Sequence, residues 1–309
     1  MFPLSTPRRE VARVVASYRS ALRSRASSER FTKEGGEAFE SLLEPAMRDL
    51  PAGTELVFVP DRELHQLPLA ALFDRRRGRY LIEDHPCLVT PSLGTYLSAL
   101  DHPRPKGDFR RVLAVGDPEI DRSAFPTLAP LPSARREAQA IAALYPEPTL
   151  LLGPAASRSA ILAALPGSEV VHFATHALVD AREPLASLVA TADPGEAVLR
   201  ASDLDAKSLA GVEFVFLSAC DTAPGFADGD REGVAGLARA VLAAGVSSVV
   251  ATLWPVDDQA ISGLPETFHA RLRAGDSPAR ALQLAQLALL QRTNSHALAW
   301  VPFQLFSGN

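Results

Sequence analysis

The chain has 309 residues, 47% of them hydrophobic, which is enough for a large core in one or two domains and excludes a disordered protein. Its 36 acidic and 31 basic residues leave a formal charge of −5, so there is no basic field for nucleic acid or an anionic membrane surface. The two cysteines, Cys87 and Cys220, cannot build a disulfide framework, and the chain reads as intracellular and cytoplasmic. The first residues (MFPLSTPRRE) lack the basic and apolar regions of a signal peptide. The long apolar stretch from Val234 to Trp254 is interrupted by Arg239 and Gly245, and reads as helix, glycine stop and buried strand rather than a membrane span.

Val11, Val14, Val15, Tyr18 and Leu22 recur at helical spacing, as do Phe39, Leu42, Leu43, Met47 and Leu50. They predict two amphipathic helices, the second ended by Pro51. Leu56 to Val59 is a short strand before the Pro60-Asp61 turn. His65 to Phe73 is apolar but broken by Pro68, and Tyr80 to Thr90 returns to the sheet or forms a short hairpin. Residues 101–110 (DHPRPKGDFR) are polar and proline-rich, the best linker in the chain. They divide an N-terminal part, 1–105, of helices and short strands from a core, 106–309.

Beyond that linker the pattern becomes repeated α/β units. Arg111 to Val115 is a strand ended by Gly116-Asp117-Pro118, and a helix follows at about 133–144 with Ser133 as its N-cap. Thr149 to Leu152 is a short strand, Ser157 to Leu165 a helix capped by Ser157, and Val170 to Phe173 a core strand. Residues 179–211 are irregular, docked by Leu185, Leu188 and Leu199, with a short helix at 204–209. Val212 to Leu217 is the most apolar strand and belongs at the centre of the sheet. A helix over 234–244 stops at Gly245, a strand follows over 246–253, and Ser277-Pro278 opens a final long helix rich in leucine. Strand and helix in alternation predict an α/β fold with a mostly parallel sheet flanked by helices.

Two stretches stop at residues capable of chemistry. Phe214 to Gly225 (FVFLSACDTAPG) stops at Cys220, and Glu169 to Leu178 (EVVHFATHAL) at His176. A free thiol is a poor nucleophile and a thiolate a strong one, so an imidazole at the end of a neighbouring strand would activate it. The backbone amides of Cys220 and Ala177 can supply an oxyanion hole. The plainer reading is that Cys220 is a small buried hydrophobe, and spacing alone does not decide between the two. His172 competes for the role of His176. It lies inside the strand pattern and reads as a core histidine with one hydrogen bond, whereas His176 lies beyond the strand and nearer to solvent. HExxH, CxxC, GxSxG, GxxxxGK[ST] and GxGxxG are all missing, so zinc, serine hydrolase, nucleotide and dinucleotide chemistry lack their fingerprints.

The runs HFATHA, LSACDT, REGVAGLARAVLAAGVSSVVATLWPVDD and HALAWVPFQLFSG resemble the CHAT domain family, the caspase-like group related to separases and caspases. VPDRELHQLPLAAL, YLIEDHPCLVTPSL and VLAVGDP carry the resemblance across nearly the whole chain. It implies a caspase-like core at 106–309, preceded by an N-terminal part of the same domain. It also implies a cysteine endopeptidase with a His176 and Cys220 dyad and no cofactor. The family usually has glycine after the catalytic histidine. This chain has Ala177, which can donate the same hydrogen bond if its φ is negative.

Asp117, Asp221 and Asp258 fall near strand ends, where a carboxylate would favour a basic residue before the cleaved bond. The competing readings are a turn at Asp117-Pro118 and a helix cap at Asp258. The acidic run with Asp228, Asp230 and Glu232 lacks EF-hand spacing and reads as a solvated loop. The implied partners are a protein substrate and an upstream sensor or regulatory protein, with no nucleic acid and no membrane. The alternative is a non-catalytic caspase-like interaction or scaffold module.

Overall fold

The structure, a computed structural model, describes residues 6–23, 27–100, 108–120, 123, 125, 126, 128, 130–178, 188–190, 198–220, 233–254, 256, 259–292 and 297–308. The N-terminal apolar spacing forms α1 (Arg8–Arg23) and α2 (Ser28–Leu42), joined face to face where the Tyr18 and Phe31 rings stack at 5.3 Å. Ser27 caps α2 by accepting the Arg30 amide. Pro45, not Pro51, ends that helix. It cannot donate back to Ser41, and the chain restarts as the single turn α3 (Glu44–Met47).

Next come β1 (Leu56–Phe58), the small hairpin β2 (Phe73–Asp74) and β3 (Arg79–Tyr80), α4 (Leu81–Asp84), β4 (Cys87–Val89) and α5 (Leu93–Leu100). The α/β units follow as β5 (Arg111–Pro118), α6 (Pro132–Ala142), β6 (Glu147–Gly153), α7 (Arg158–Ala164), β7 (Val170–Leu178), β8 (Leu188–Ala190), β9 (Val198–Arg200) and β10 (Phe214–Cys220). The chain closes with α8 (Gly233–Ala243), β11 (Ser248–Thr252), α9 (Leu264–Arg273), α10 (Pro278–Leu290), α11 (Ala297–Trp300) and β12 (Phe303–Ser307).

Among the described residues the main sheet runs β1-β4-β12-β11-β10-β7-β5-β6. Along this order the pairs are parallel except β11 with β12, and β8 and β9 join off β7 in antiparallel pairs. This is the mostly parallel, helix-flanked architecture that the alternation of elements predicts. β10 is central and nearly all apolar, with Phe214, Val215, Phe216 and Leu217 each at most 1% exposed. β1 and β4, which precede residues 101–107, extend this same sheet rather than forming one of their own.

Several local predictions hold for the physical reasons given. Ser157 accepts the Ala160 amide at 3.1 Å, Ser277 the Arg280 amide at 3.2 Å, and Gly245 takes φ +106° just past α8. Two do not. Ser133 is not the cap of α6; Leu131 occupies that position with proline following, and the Ser133 hydroxyl instead accepts from Arg136. Residues 204–209 form no regular helix: the Asp205 carboxylate accepts the Lys207 and Ser208 amides as an N-cap would and the Leu209 amide bonds the Asp205 carbonyl, but Gly211 at φ +87° turns the chain away after that single turn.

α6 approaches β5 closely. A Cβ placed on Gly116 would lie 2.5 Å from the Ala138 Cβ and 2.7 Å from the Ala134 carbonyl oxygen. Gly116→Ala is therefore expected to destabilise the fold by about 1–3 kcal/mol through overpacking. Chemical denaturation checks it, and an unchanged midpoint would refute the close approach.

Candidate functional site

β7 and β10 are rich in β-branched and aromatic residues, which favours extended, doubly covered strands. They pair in one unbroken parallel register, from Phe214 opposite Val170 to Cys220 opposite His176. Parallel neighbours lie about 4.8 Å apart and share a face at equivalent positions. The two candidate residues therefore occupy adjacent backbone positions on one face, at the C-terminal edge of the sheet. That is where open α/β sheets place their ligands.

His176 does not lie beyond the strand. β7 continues to Leu178 because β8 folds back against it, with Ala177 opposite Val189 and Leu178 opposite Leu188. His176 is consequently buried, 1% exposed, rather than presented to solvent. Ala177 is a strand residue. Among the described residues, non-glycine positions with positive φ are Arg62 and Asp117, so Ala177 has the negative φ that lets alanine stand where glycine is usual. The other cysteine, Cys87, is a poor candidate nucleophile. It is buried, its thiol donates to the His85 carbonyl at 3.4 Å, and burial pushes its pKa far up.

Asp117 sits at the bulged end of β5, the strand beside β7, with the strained φ of +46°. Its carboxylate accepts the Leu131 amide at 3.1 Å and the Arg135 Nε at 3.1 Å, so it anchors the start of α6. The positive charge of Arg135, 43% exposed, thus stands beside the negative charge that would attract a basic side chain. Asp221, Asp257 and Asp258 lie outside the described residues, as do Asp228, Asp230 and Glu232. Among the described residues, no group of three or more His, Cys, Asp or Glu side chains is arranged to hold a metal ion.

His172 is a core histidine as predicted, but it makes two hydrogen bonds within a buried polar chain. Its Nε2 lies 2.8 Å from Glu137 Oε1, and its Nδ1 lies 3.2 Å from His269 Nε2. His269 Nδ1 is in turn 2.8 Å from the Tyr145 hydroxyl. Glu137, His269 and Tyr145 escaped the sequence reading. The available clue was a glutamate on the inward face of α6, among Ala134, Ala138 and Ile141. Period two along β7 returns His176 to the same face as His172. Between their two rows runs a register row of small residues, Gly116, Ala174 and Ser218.

Comparison with known proteins agrees with this architecture. A family model described as the CHAT domain matches residues 32–309. The chain is 27% identical to tetratricopeptide repeat protein 28 of Mus musculus, covering 82% of this chain and 12% of that protein. It is 26% identical to the protein of the same name in Homo sapiens, with the same two shares. The chain thus spans only 12% of the length of these curated relatives. Among solved structures, it superimposes on the complex of Porphyromonas gingivalis RgpB pro- and mature domains with a TM-score of 0.50 and 11% identity, covering 98% of this chain and 77% of that one. It also superimposes on the Saccharomyces cerevisiae separase-securin complex with a TM-score of 0.50 and 17% identity, covering 82% of this chain and 16% of that one. At such identities the likeness concerns the fold alone.

Burial holds the His172 imidazole down to about 3, and that of His269 well below its usual value by burial and then by His172. In the unfolded chain both titrate near about 6.5. Below that pH the unfolded chain takes up protons that the folded state refuses. Stability is therefore full above about pH 6.5 and is lost as pH falls toward the folded values. The expected slope is up to about 1.4 kcal/mol per pH unit for each imidazole. His172→Phe should flatten the dependence of unfolding free energy on pH between about 6.5 and 4; an unaltered slope would remove His172 from this account.

Proposed function

The chain belongs to the CHAT domain family, and on that premise we propose that it is a cysteine endopeptidase domain working through His176 and Cys220. The observation that carries this reading is the register of β7 and β10, which sets the two residues opposite each other on one face of the sheet edge. The sequence has two cysteines, and burial argues against Cys87 as the nucleophile.

In this reading His176 takes the thiol proton and the Cys220 sulfur adds to the scissile carbonyl. The developing oxyanion is held by backbone amides, for which Ala177 and Cys220 are the candidates. Collapse breaks the C–N bond as His176 returns the proton to the leaving amine, and a thioester remains. Water, deprotonated by His176, then releases the acid and restores the thiol. Because Asp117 is already held by Arg135 and the Leu131 amide, a preference for a basic residue would have to come from Asp221 or Asp258. A protein substrate and an activating partner belong to the same proposal.

A second reading, a caspase-like scaffold without turnover, is favoured by two observations. His176 is only 1% exposed, and the curated relatives take their name from tetratricopeptide repeats. One experiment separates the two. The wild-type protein, Cys220→Ala and His176→Ala are incubated with a peptide library and candidate partner proteins, with and without calcium. The peptidase reading expects cleavage by wild type and at least about a 10³-fold loss in either variant. Equal or absent cleavage in all three under every condition would leave the scaffold.

A further inference from the structure

The buried chain Glu137–His172–His269–Tyr145 takes no part in the peptidase mechanism, yet with Glu137 ionised, the state in which it raises the Glu266 pKa, its protons are ordered in one direction. An ionised carboxylate only accepts, so His172 must donate from Nε2 to Glu137, 2.8 Å away. The neutral His172 then has only a lone pair at Nδ1, so His269 must donate from Nε2 across 3.2 Å. That leaves a lone pair on His269 Nδ1, which accepts the Tyr145 hydroxyl at 2.8 Å. A single acceptor at one end thus fixes both tautomers and both ring orientations.

Such a chain is expensive to bury, and apolar side chains of similar shape would commonly be no less stable. What it adds is position. Glu137 belongs to α6, His269 to α9 and His172 to β7, so the chain ties two covering helices to the strand that carries His176. α6 can sit close because the row between is small, with Gly116 beneath Ala138. The same helix holds Asp117, at the end of the strand next to β7, through Arg135 and the Leu131 amide. A shift of α6 at Glu137 would therefore also move Arg135, two positions away, and with it the end of β5, the strand next to β7. Ionisable groups near the chain among the described residues include Glu266 and Arg273 of α9; burial first and then Glu137 raise the Glu266 pKa, and Arg273 stands 5.5 Å from the Tyr145 ring centre.

We propose that His172 and Glu137 are positioning residues for the His176–Cys220 dyad, acting through α6 and held in one tautomeric state by His269 and Tyr145. The proposal rests on the peptidase reading above.

The test uses the full chain and follows alkylation of Cys220 by iodoacetamide against pH, with the Cys220 peptide quantified by mass spectrometry. The thiolate displaces iodide, so the profile reports how well His176 is placed to ionise the thiol, which packing alone does not set. His172→Phe, folded by circular dichroism, should lower the rate at pH 6 about tenfold, equivalent to a rise of about one unit in the apparent thiol pKa. Tyr145→Phe removes one hydroxyl at the far end without changing shape, and should lower the rate about threefold in the same direction. A wild-type profile in folded His172→Phe would overturn the proposal. So would a wild-type profile in Tyr145→Phe if His172→Phe does not fold. Failure of the underlying reading looks different: His176→Ala itself would then leave the wild-type profile unchanged, and both proposals would fall together.

Discussion

The parallel pairing of β7 with β10 is the constraint on which the rest of the structure depends. Every position from Val170 to His176 has its partner, and the last pair is the one with chemistry. A slip of one residue would move Cys220 out of step with His176 and reverse the face each residue of the slipped strand covers. Apolar composition alone does not forbid this, since both faces of the sheet here are buried and Phe214, Val215, Phe216 and Leu217 would satisfy either. The polar row does forbid a slip of β7. It would carry His172 away from Glu137 and His269 and strand three buried polar groups among apolar side chains. Buried polar contacts that specify one arrangement at some expense in stability are known from other systems, and this network has the features of one.

The helices complete that arrangement at close range. Small side chains at Gly116, Ala174 and Ser218 form a shallow lane across three strands, and α6 lies close above its β5 end. At the edge of the lane the backbone of Asp117 adopts φ +46°, a conformation that costs roughly 1–3 kcal/mol for a non-glycine residue. Two hydrogen bonds from the start of α6 hold it there. Strain of this kind at the end of a strand beside a candidate dyad fits a wall held in place by its neighbours rather than by local preference.

Much of the fold could be read locally. Helical spacing around Val14 and Tyr18, the caps at Ser157 and Ser277, the glycine stop at Gly245 and the apolar run of β10 each depend on a few neighbouring residues, and all appear where local chemistry puts them. Where the local reading failed, a competitor stood close by. Pro45 ended α2 ahead of Pro51, and Gly211, at φ +87°, turned the chain away after a single turn at 205–209. Of the candidate site, the sequence identified the histidine and the cysteine, because apolar runs that end in a polar residue are visible without coordinates.

What the sequence determined by itself is therefore the family, the α/β class and two residues with suitable chemistry. Tertiary structure alone decided how they are set. That His176 lies inside β7 follows from β8 folding back on it, a pairing between segments with no shared local pattern. That Asp117 anchors α6, and that His172, Glu137, His269 and Tyr145 form one directed chain, follows from contacts between residues as much as 124 positions apart. Periodicity shows which face of an element is buried. The identity of the group that meets it there is fixed only when the elements pack, because that is when a buried donor must find its acceptor.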